Sequence, residues 1–307
     1  MSLGQLKSAP SSRIANYEVI RQLSSGVLTD VFEALEEGTQ ERVAIKRLKK
    51  EQYEFPQVVK RFQREAMAAA SLHHPHIVPV YNVGSHLGQH FYVMKFIQGM
   101  NLNGLRRLIH DGVDNPSAPR VRIRQMFNHS DSIVELACQV LDAIQYGHSL
   151  GVIHRDIRPS NILIDFQGRP WVTDFGSVKL TQFISEELST SGHMMKHCRY
   201  SPPELILADS EGMEDPRSDI FSAGLVFFEL LTGKISSLSA ARISDLPIEF
   251  PKTLESVIRQ ACDKDRNHRF QSAEAFAHEL RNHRERSKLP NKVKSFLRNV
   301  KKQILDD

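Results

Sequence analysis

From Tyr17 onwards, the first part of the chain alternates apolar and polar positions, which is typical of β-strands. The segments YEVIRQL, DVFEALEE and ERVAIKRL alternate in this way and are separated by short turn signals, so they predict an antiparallel meander. The next segment, VVKRFQREAMAAASL, repeats its apolar residues near a period of 3.6 and predicts a helix that ends before His74 and Pro75. Two further strand segments, HIVPVYNVGSH and HFYVMKFI, complete a small β-rich unit at about Gly99.

Beyond Gly99 the apolar residues recur mainly at helical spacing. The clearest predicted helices are SIVELACQVLDAIQYGHSLG, DIFSAGLVFFELLTG, LESVIRQACDKD and SAEAFAHELRNHR. Residues 111–130 are polar and contain two prolines, so we interpret them as a surface insertion. Residues 1–16 have no period and predict a flexible lead. The pattern as a whole predicts an α+β protein with two lobes, a small antiparallel β-sheet lobe with one main helix and a larger, mostly α-helical lobe.

Composition and charge exclude several classes of protein. The 307 residues are 40% hydrophobic and 25% charged, which argues against disordered, collagen-like and membrane-embedded classes. Residues 281–307 carry nine basic and three acidic residues, whereas residues 1–280 carry 31 basic and 33 acidic ones. Because the basic excess is confined to the tail, we expect no nucleic acid partner for the folded body. The three cysteines form no CxxC pair, which favours a reducing, cytoplasmic location over a disulfide framework or zinc ribbon.

Two short motifs carry the most chemical information. HRDIRPSNILI places Asp156 five residues before Asn161, and Asp174 opens a glycine-containing turn after the next apolar segment. One carboxylate can orient a hydroxyl nucleophile, while a carboxylate and an amide oxygen can hold Mg²⁺ against phosphate oxygens. Asp and Asn also cap turns in many proteins, but two such motifs in this order favour phosphoryl transfer.

In this order the motifs resemble those of the eukaryotic-type serine/threonine protein kinase catalytic domain, in the form that bacteria also carry. The resemblance covers about residues 17–285, with a small lobe at 17–98 and a large lobe at 99–285, and it leaves 286–307 as a basic amphipathic tail. It implies transfer of the ATP γ-phosphoryl group to protein hydroxyls, including autophosphorylation. ATP and Mg²⁺ are the implied cofactors, with Mn²⁺ as an alternative metal.

The resemblance also assigns catalytic roles. Asp156 would orient the hydroxyl, and Arg158 would place a positive charge near the transferring phosphoryl group. Lys46, in the VAIK segment, would reach the ATP phosphates and pair with Glu65. Asn161 and Asp174 would hold the metal.

The remaining implied nucleotide contacts lie in a phosphate-covering loop and around the hinge segment FYVMKFIQG. The implied loop contacts are Leu23, Ser24, Ser25, Gly26, Val27, Leu28, Thr29, Asp30 and Val31. The implied adenine contacts are Val31, Ala44, Met94, Ile97 and Leu163. The implied phosphate contacts are Lys46 and Asp174. Among these, Met94 would be the gatekeeper residue and Ile97 would supply the hinge contacts.

Three further similarities to the kinase family are structural or regulatory. Glu204 would pair with Arg269, and Asp219 would brace the catalytic loop, which favours a protein substrate over a small one. Arg155 suggests regulation by phosphorylation of the activation segment. The candidate acceptors there are Thr181, Ser185, Ser189, Thr190 and Ser191.

Three departures from the family pattern leave open whether the activity is full, weak or absent. The loop keeps only Gly26 of three glycines, Arg158 stands where lysine is usual, and His197 stands where threonine usually precedes the substrate-docking loop. The alternative hypothesis is therefore a pseudokinase or weakly active scaffold that binds nucleotide and a protein partner. The tail leaves open a helix docked on the large lobe, a partner contact or a peripheral membrane contact.

Overall fold

The computed structural model describes residues 13–112, 116–176, 198–204, 215–233 and 252–288. Its first unit is an antiparallel sheet of six strands in the order β1-β2-β3-β4-β6-β5. The strands are β1 (Arg13–Ile14), β2 (Tyr17–Ser25), β3 (Thr29–Glu36), β4 (Arg42–Leu48), β5 (Val80–His86) and β6 (Gln89–Lys95). The predicted meander and the two later strands are confirmed.

One helix covers this sheet. Helix α1 (Pro56–Ala70) begins with a proline, whose fixed φ suits the first helical turn. Its buried face carries Val58, Phe62 and Ala66, which pack with Leu48 and Tyr92 of the sheet. Glu65 lies on the same buried face, where a charged residue needs a partner.

A second, three-stranded sheet lies where the small lobe joins the large one. It pairs β7 (Gly99–Asn101) with β8 (Ile162–Asp165) and β8 with β9 (Pro170–Val172). A Cβ atom at Gly99 would lie 1.8 Å from the carbonyl oxygen of Ile164. Only glycine allows the chain to pass so close to β8 as it leaves the hinge.

The large lobe is a helical assembly around a central apolar core. Its helices are α2 (Leu102–Arg106), which continues into a π-helical turn (Arg107–Asp111), α3 (Ala118–Met126), α4 (Ser130–Ser149), α5 (Arg217–Thr232), α6 (Lys252–Ala261) and α7 (Ala273–Lys288). Helix α5 is buried from Ser218 to Leu230 and packs against α4 and α6, so its nearly continuous apolar sequence reflects contact on all sides. The predicted two-lobed α+β fold is confirmed.

The structure differs from the sequence-based expectations at three places. Ile14 lies within the expected flexible lead but is 2% exposed and belongs to β1. The expected surface insertion at 111–130 contains α3, where Ile123 and Phe127 are anchored in the large-lobe core. Helix α7 continues three residues past the expected boundary at residue 285. At Ile14 and in α3, one or two apolar residues in a polar stretch determine the packing, which is too weak a signal to form a visible period.

Most of the basic tail, residues 289–307, lies outside the described residues, as do residues 1–12. Within the described ranges, none of the helices combines the length and the apolar character needed to cross a bilayer.

Candidate active site

A buried lysine joins the two lobes at the centre of the site. Lys46, on β4, donates to Glu65 Oε1 of α1 at 2.8 Å and to Asp174 Oδ1 at 2.9 Å. Burial alone would lower the pKa of Lys46, but Asp174 and Glu65 oppose this and hold the pKa well above its usual value. Burial would likewise raise the pKa of Asp174, yet Lys46 holds it below the usual range. The predicted Lys46–Glu65 ion pair is formed. Burial raises the pKa of Glu65 above its usual value, although Lys46 acts in the opposite direction.

On the large-lobe side, Asp156 is held by an amide. Asn161 Nδ2 donates to Asp156 Oδ2 at 2.8 Å and to the Asp156 carbonyl at 2.9 Å, so this side chain fixes the loop from within. Arg158 Nη1 lies 3.9 Å from Asp156 Oδ1. The Asp156 side chain remains 38% exposed, which leaves its carboxylate accessible to a substrate.

Asp219 braces the backbone on which Asp156 lies, as predicted. Its carboxylate accepts from the main-chain N–H groups of His154 and Arg155, each at 2.8 Å, and its Oδ2 lies 2.8 Å from His148 Nε2. Arg155 has φ 67°, a conformation that non-glycine residues adopt only at a cost of about 1–3 kcal/mol. The Asp219 carboxylate thus stabilises a strained turn directly before Asp156.

His154 links this loop to the strand that leads into Asp174. Its Nε2 lies 2.9 Å from the Thr173 carbonyl and its Nδ1 lies 3.3 Å from the Asp156 N–H. Since a carbonyl only accepts and an amide N–H only donates, the neutral tautomer protonated at Nε2 satisfies both contacts. Phe175 packs against the same ring, with centroids 4.7 Å apart.

We expect Asp219→Asn to lower the free energy of unfolding by about 2 kcal/mol at pH 7, because two buried N–H donors lose a charged acceptor. Burial would raise the pKa of Asp219, but the hydrogen bond from His148 and the neighbouring donors hold it below its usual value. The stabilisation is therefore present above the unfolded-state pKa of about 3.9 and is lost as the pH falls through the folded-state pKa. Urea unfolding at pH 7 and at pH 3 should show the difference between the two proteins shrinking at the acidic pH.

The control for this experiment is Asp111→Asn, because the Asp111 side chain is 50% exposed in its surface pair with Arg106. Asp111→Asn should change stability by less than about 0.5 kcal/mol at either pH. A wild-type advantage over Asp219→Asn that stayed constant between pH 7 and pH 3 would contradict the assignment.

The residues predicted to surround adenine lie in one apolar cluster under the small-lobe sheet. Ala44 and Met94 are buried there, and Val31, Ile97 and Leu163 pack against them half-buried. These five residues lie on β3, β4, β6, the hinge and β8, so both lobes contribute side chains to the predicted adenine site.

Trp171, on β9, belongs to the same cluster and is 6% exposed. It pairs with Leu163 in the sheet, so the two side chains share a face. Its indole N–H donates to Asp165 Oδ2 at 3.1 Å, and the Lys95 ammonium lies 4.4 Å from its ring centroid.

The predicted phosphate-covering loop forms the tight hairpin between β2 and β3. The Gly26 N–H donates to the Thr29 carbonyl at 2.8 Å, and Ser25 Oγ donates to Asp30 Oδ1 at 2.7 Å. Leu28 is buried in the small-lobe cluster, and its carbonyl accepts from the Lys49 N–H at 2.8 Å. Side-chain and main-chain bonds therefore stabilise a hairpin that has only one glycine. The other predicted loop residues lie on the same hairpin, with Leu23 and Val27 exposed and Ser24 opposite Val31.

The residues proposed to hold a metal have suitable chemistry for Mg²⁺. Asn161 Oδ1 accepts only the Ser160 hydroxyl at 3.0 Å, and both hydrogen bonds to Asp174 use Oδ1, which leaves Oδ2 available among the described residues. Hard oxygen donors of this kind suit Mg²⁺ bound jointly by protein and phosphate. The described ranges contain no group of three or more His, Cys, Asp or Glu side chains placed to hold a metal ion.

The predicted Glu204–Arg269 ion pair is also formed. Arg269 Nη1 and Nη2 donate to the two carboxylate oxygens of Glu204, each at 2.7 Å, and the Arg269 side chain is fully buried. The candidate phosphorylation sites, together with His197, lie at 177–197, outside the described residues.

Sequence analysis missed one residue at this site. The hydroxyl of Tyr92, on β6, lies 3.3 Å from both Glu65 Oε1 and Asp174 Oδ1. The sequence pattern that could have identified Tyr92 is its position two residues before Met94, because residues two apart on a strand have their side chains on one face. The apolar pattern of β6 would be the same with phenylalanine at this position.

Comparison with known proteins agrees with this geometry. The sequence profile of the family described as "Protein kinase domain" matches residues 17–281. The chain belongs to the protein kinase domain family. It is 32% identical over 273 residues to the serine/threonine-protein kinase PrkC of Bacillus subtilis, covering 84% of this chain and 39% of PrkC. It is 28% identical over 284 residues to the serine/threonine-protein kinase PknB of Mycolicibacterium smegmatis, covering 87% of this chain and 42% of PknB.

Solved structures agree on the fold. The crystal structure of the M. tuberculosis PknI kinase domain superposes with a TM-score of 0.66 at 24% identity, covering 90% of this chain and 98% of that one. The chain spans about two fifths of the length of the curated relatives it matches. The predicted resemblance to a eukaryotic-type serine/threonine kinase catalytic domain is confirmed, and with it a family whose members use ATP and a divalent metal.

Proposed function

We propose that this chain catalyses the transfer of the ATP γ-phosphoryl group to serine or threonine hydroxyls of protein substrates. The observation that carries the proposal is that both halves of the site are assembled at once. Lys46 is paired with Glu65 and Asp174 on one side, and Asp156 is held by Asn161 on the other. A protein that had abandoned catalysis would have no need to keep both arrangements.

The small lobe would bind and orient the nucleotide. Ala44, Val31 and Leu163 would enclose the adenine, and the backbone at Ile97 would supply hydrogen bonds. Lys46 uses two of its three ammonium protons on Glu65 and Asp174, so the third is available for a phosphate oxygen. Bound at Asn161 and Asp174, Mg²⁺ would neutralise charge on the phosphates. Carboxylate and amide oxygens suit Mn²⁺ as well as Mg²⁺, so Mn²⁺ is proposed as an alternative metal at the same residues.

Asp156 would orient the attacking hydroxyl and accept its proton. Burial raises the pKa of Asp156 above its usual value, although Arg158, His154 and the Asn161 hydrogen bond act in the opposite direction. A carboxylate with a raised pKa is a better proton acceptor. Arg158 would place a permanent positive charge beside the transferring phosphoryl group.

The alternative hypothesis, a scaffold that binds nucleotide but transfers no phosphoryl group, is less well supported. Its arguments were the depleted loop, Arg158 and His197, whereas the contacts of Lys46 with Glu65 and of Asn161 with Asp156 favour transfer. The curated relatives of this chain are named serine/threonine-protein kinases, which also favours an active enzyme and serine or threonine as the acceptor. We further propose a cytoplasmic location, in keeping with the buried free thiols of Cys138 and Cys262 and the need for ATP.

The test is phosphoryl transfer from labelled ATP with Mg²⁺ to the protein itself and to a generic basic protein, followed by identification of the phosphorylated residue type. Lys46→Met should lower the rate more than about 100-fold, because the phosphates lose their positioning charge. The matched control, Lys50→Met, removes an exposed lysine of the same lobe and should have no effect.

Equal label in the wild type and in Lys46→Met would contradict the proposed reaction. Thermal stabilisation by ATP and Mg²⁺ without any transfer would favour the scaffold.

A further inference from the structure

The hydroxyl of Tyr92 occupies a position with a direct consequence for the phosphate side of the site. Tyr92 is 1% exposed, and β4 and β6 pair it directly with Lys46. Side chains paired across two antiparallel strands point to the same face of the sheet. The register therefore carries the phenol to the same buried carboxylates that Lys46 contacts.

Four atoms form a closed ring of contacts. Lys46 Nζ donates to Glu65 Oε1 at 2.8 Å and to Asp174 Oδ1 at 2.9 Å, and the Tyr92 hydroxyl lies 3.3 Å from each of these same two oxygens. Two carboxylates and one ammonium leave one negative charge in excess. The neutral phenol cannot cancel this charge, but its O–H is a further hydrogen-bond donor to the two carboxylates.

A phenol has one proton, so it can donate to only one of the two carboxylates at a time. Asp174 must direct an oxygen to the metal and Lys46 must direct a proton to the phosphates when Mg²⁺ and ATP bind. Lys46 can use its third proton and Asp174 its Oδ2 for these ligands, but each ligand competes for the charge that holds the ring together. The hydroxyl of Tyr92 is placed to remain as a second donor to the carboxylate oxygens that face Lys46.

We propose that Tyr92 is a positioning residue, which holds the carboxylates of Glu65 and Asp174 in place while Asp174 engages the metal and Lys46 engages the phosphates. The inference rests on the proposed kinase function, since it assumes that Asp174 binds the metal. Its specific consequence is that Mg²⁺ should bind less well when the hydroxyl is absent.

The key variant is Tyr92→Phe, which keeps the ring against Phe62, at a centroid separation of 5.5 Å, but removes the hydroxyl. With the non-hydrolysable analogue AMP-PNP at a fixed concentration, thermal stabilisation is measured as MgCl₂ is varied. We expect the Mg²⁺ concentration at half-maximal stabilisation to rise about fivefold to tenfold, within the range for the loss of one typical hydrogen bond. Stabilisation by AMP-PNP without Mg²⁺ should be unchanged.

The matched control is Tyr81→Phe, which removes a hydroxyl from a 56% exposed tyrosine on the neighbouring strand β5 and should leave the Mg²⁺ midpoint at its wild-type value. In the transfer assay, Tyr92→Phe should lower kcat several-fold at low Mg²⁺, and added Mg²⁺ should restore part of it. A wild-type Mg²⁺ midpoint in Tyr92→Phe would overturn the proposal.

A third variant, Tyr92→Leu, removes both the ring and the hydroxyl. If Tyr92→Leu lowered the melting temperature and raised the Mg²⁺ midpoint while Tyr92→Phe changed neither, packing alone would explain the residue and the proposal would be wrong. Because thermal stabilisation by AMP-PNP does not require transfer, failure of this inference remains distinguishable from failure of the kinase assignment.

Discussion

Replacing Asp156 with asparagine is expected to lower kcat by about 10³-fold, within the range for loss of a positioned proton acceptor. The amide retains the size of the carboxylate but cannot take the hydroxyl proton. Asn161 donates to Asp156 Oδ2, and an amide oxygen at residue 156 can accept the same bond, so the loop should keep its conformation. ATP and Mg²⁺ should bind within about twofold of wild type, because Asp156 is not assigned to either ligand.

The measurement combines steady-state transfer with the thermal shift produced by ATP and Mg²⁺. Asp111→Asn again serves as a control, since it makes the same chemical change on the surface of the large lobe. If Asp156→Asn kept more than about a tenth of the wild-type kcat, the proposed role of Asp156 as proton acceptor would be wrong. Loss of the thermal shift together with loss of transfer would instead indicate that the substitution had damaged nucleotide binding.

Replacing Arg269 with methionine is expected to lower the free energy of unfolding by about 3–5 kcal/mol, the usual range when one partner of a buried ion pair is removed. The Arg269 guanidinium also donates to the carbonyls of Asp263 at 2.7 Å and Arg217 at 3.2 Å. All of these acceptors would lose a donor at once, and the Glu204 carboxylate would lose its counter-charge. Urea unfolding followed by circular dichroism would measure the change.

A surface ion pair provides the matched comparison. Arg259 pairs with Glu255 one helical turn away on α6, and each side chain is 34% exposed. Arg259→Met should therefore lower stability by less than about 0.5 kcal/mol. Adding Glu204→Gln to Arg269→Met should cost little more, because the pair is already broken. Fully additive losses from the two substitutions would argue against a direct Glu204–Arg269 interaction.

The order of short motifs made much of the catalytic site predictable. Lys46 and Asp174 are 128 residues apart, and the resemblance of their motifs to the kinase family implied that they share one site. The same resemblance implied the roles of Asp219 and Arg269. The helical face that carries Glu65 was evident from the apolar period of α1.

Features that depend on one side chain could not be predicted. Tyr92 and phenylalanine fit the same strand pattern, and only the register of β6 against β4 reveals what the hydroxyl can reach. Ile123 anchors α3 from within a run of arginines, so the surrounding charge concealed the helix. The bonds within the hairpin, such as Ser25 to Asp30, arise after folding and have no counterpart in the glycine pattern.

Trp171 is the single tryptophan of the chain, and it lies in the cluster that includes Ala44 and Met94 beneath the small-lobe sheet. Excitation at the red edge of the indole absorption therefore reports from one place in the molecule, without interference from a second indole. An adenine ring entering between Ala44 and Leu163 would change the polarity and the quenching around that indole. The unlabelled protein thus carries its own optical probe, with which nucleotide arrival could be followed in a stopped-flow instrument.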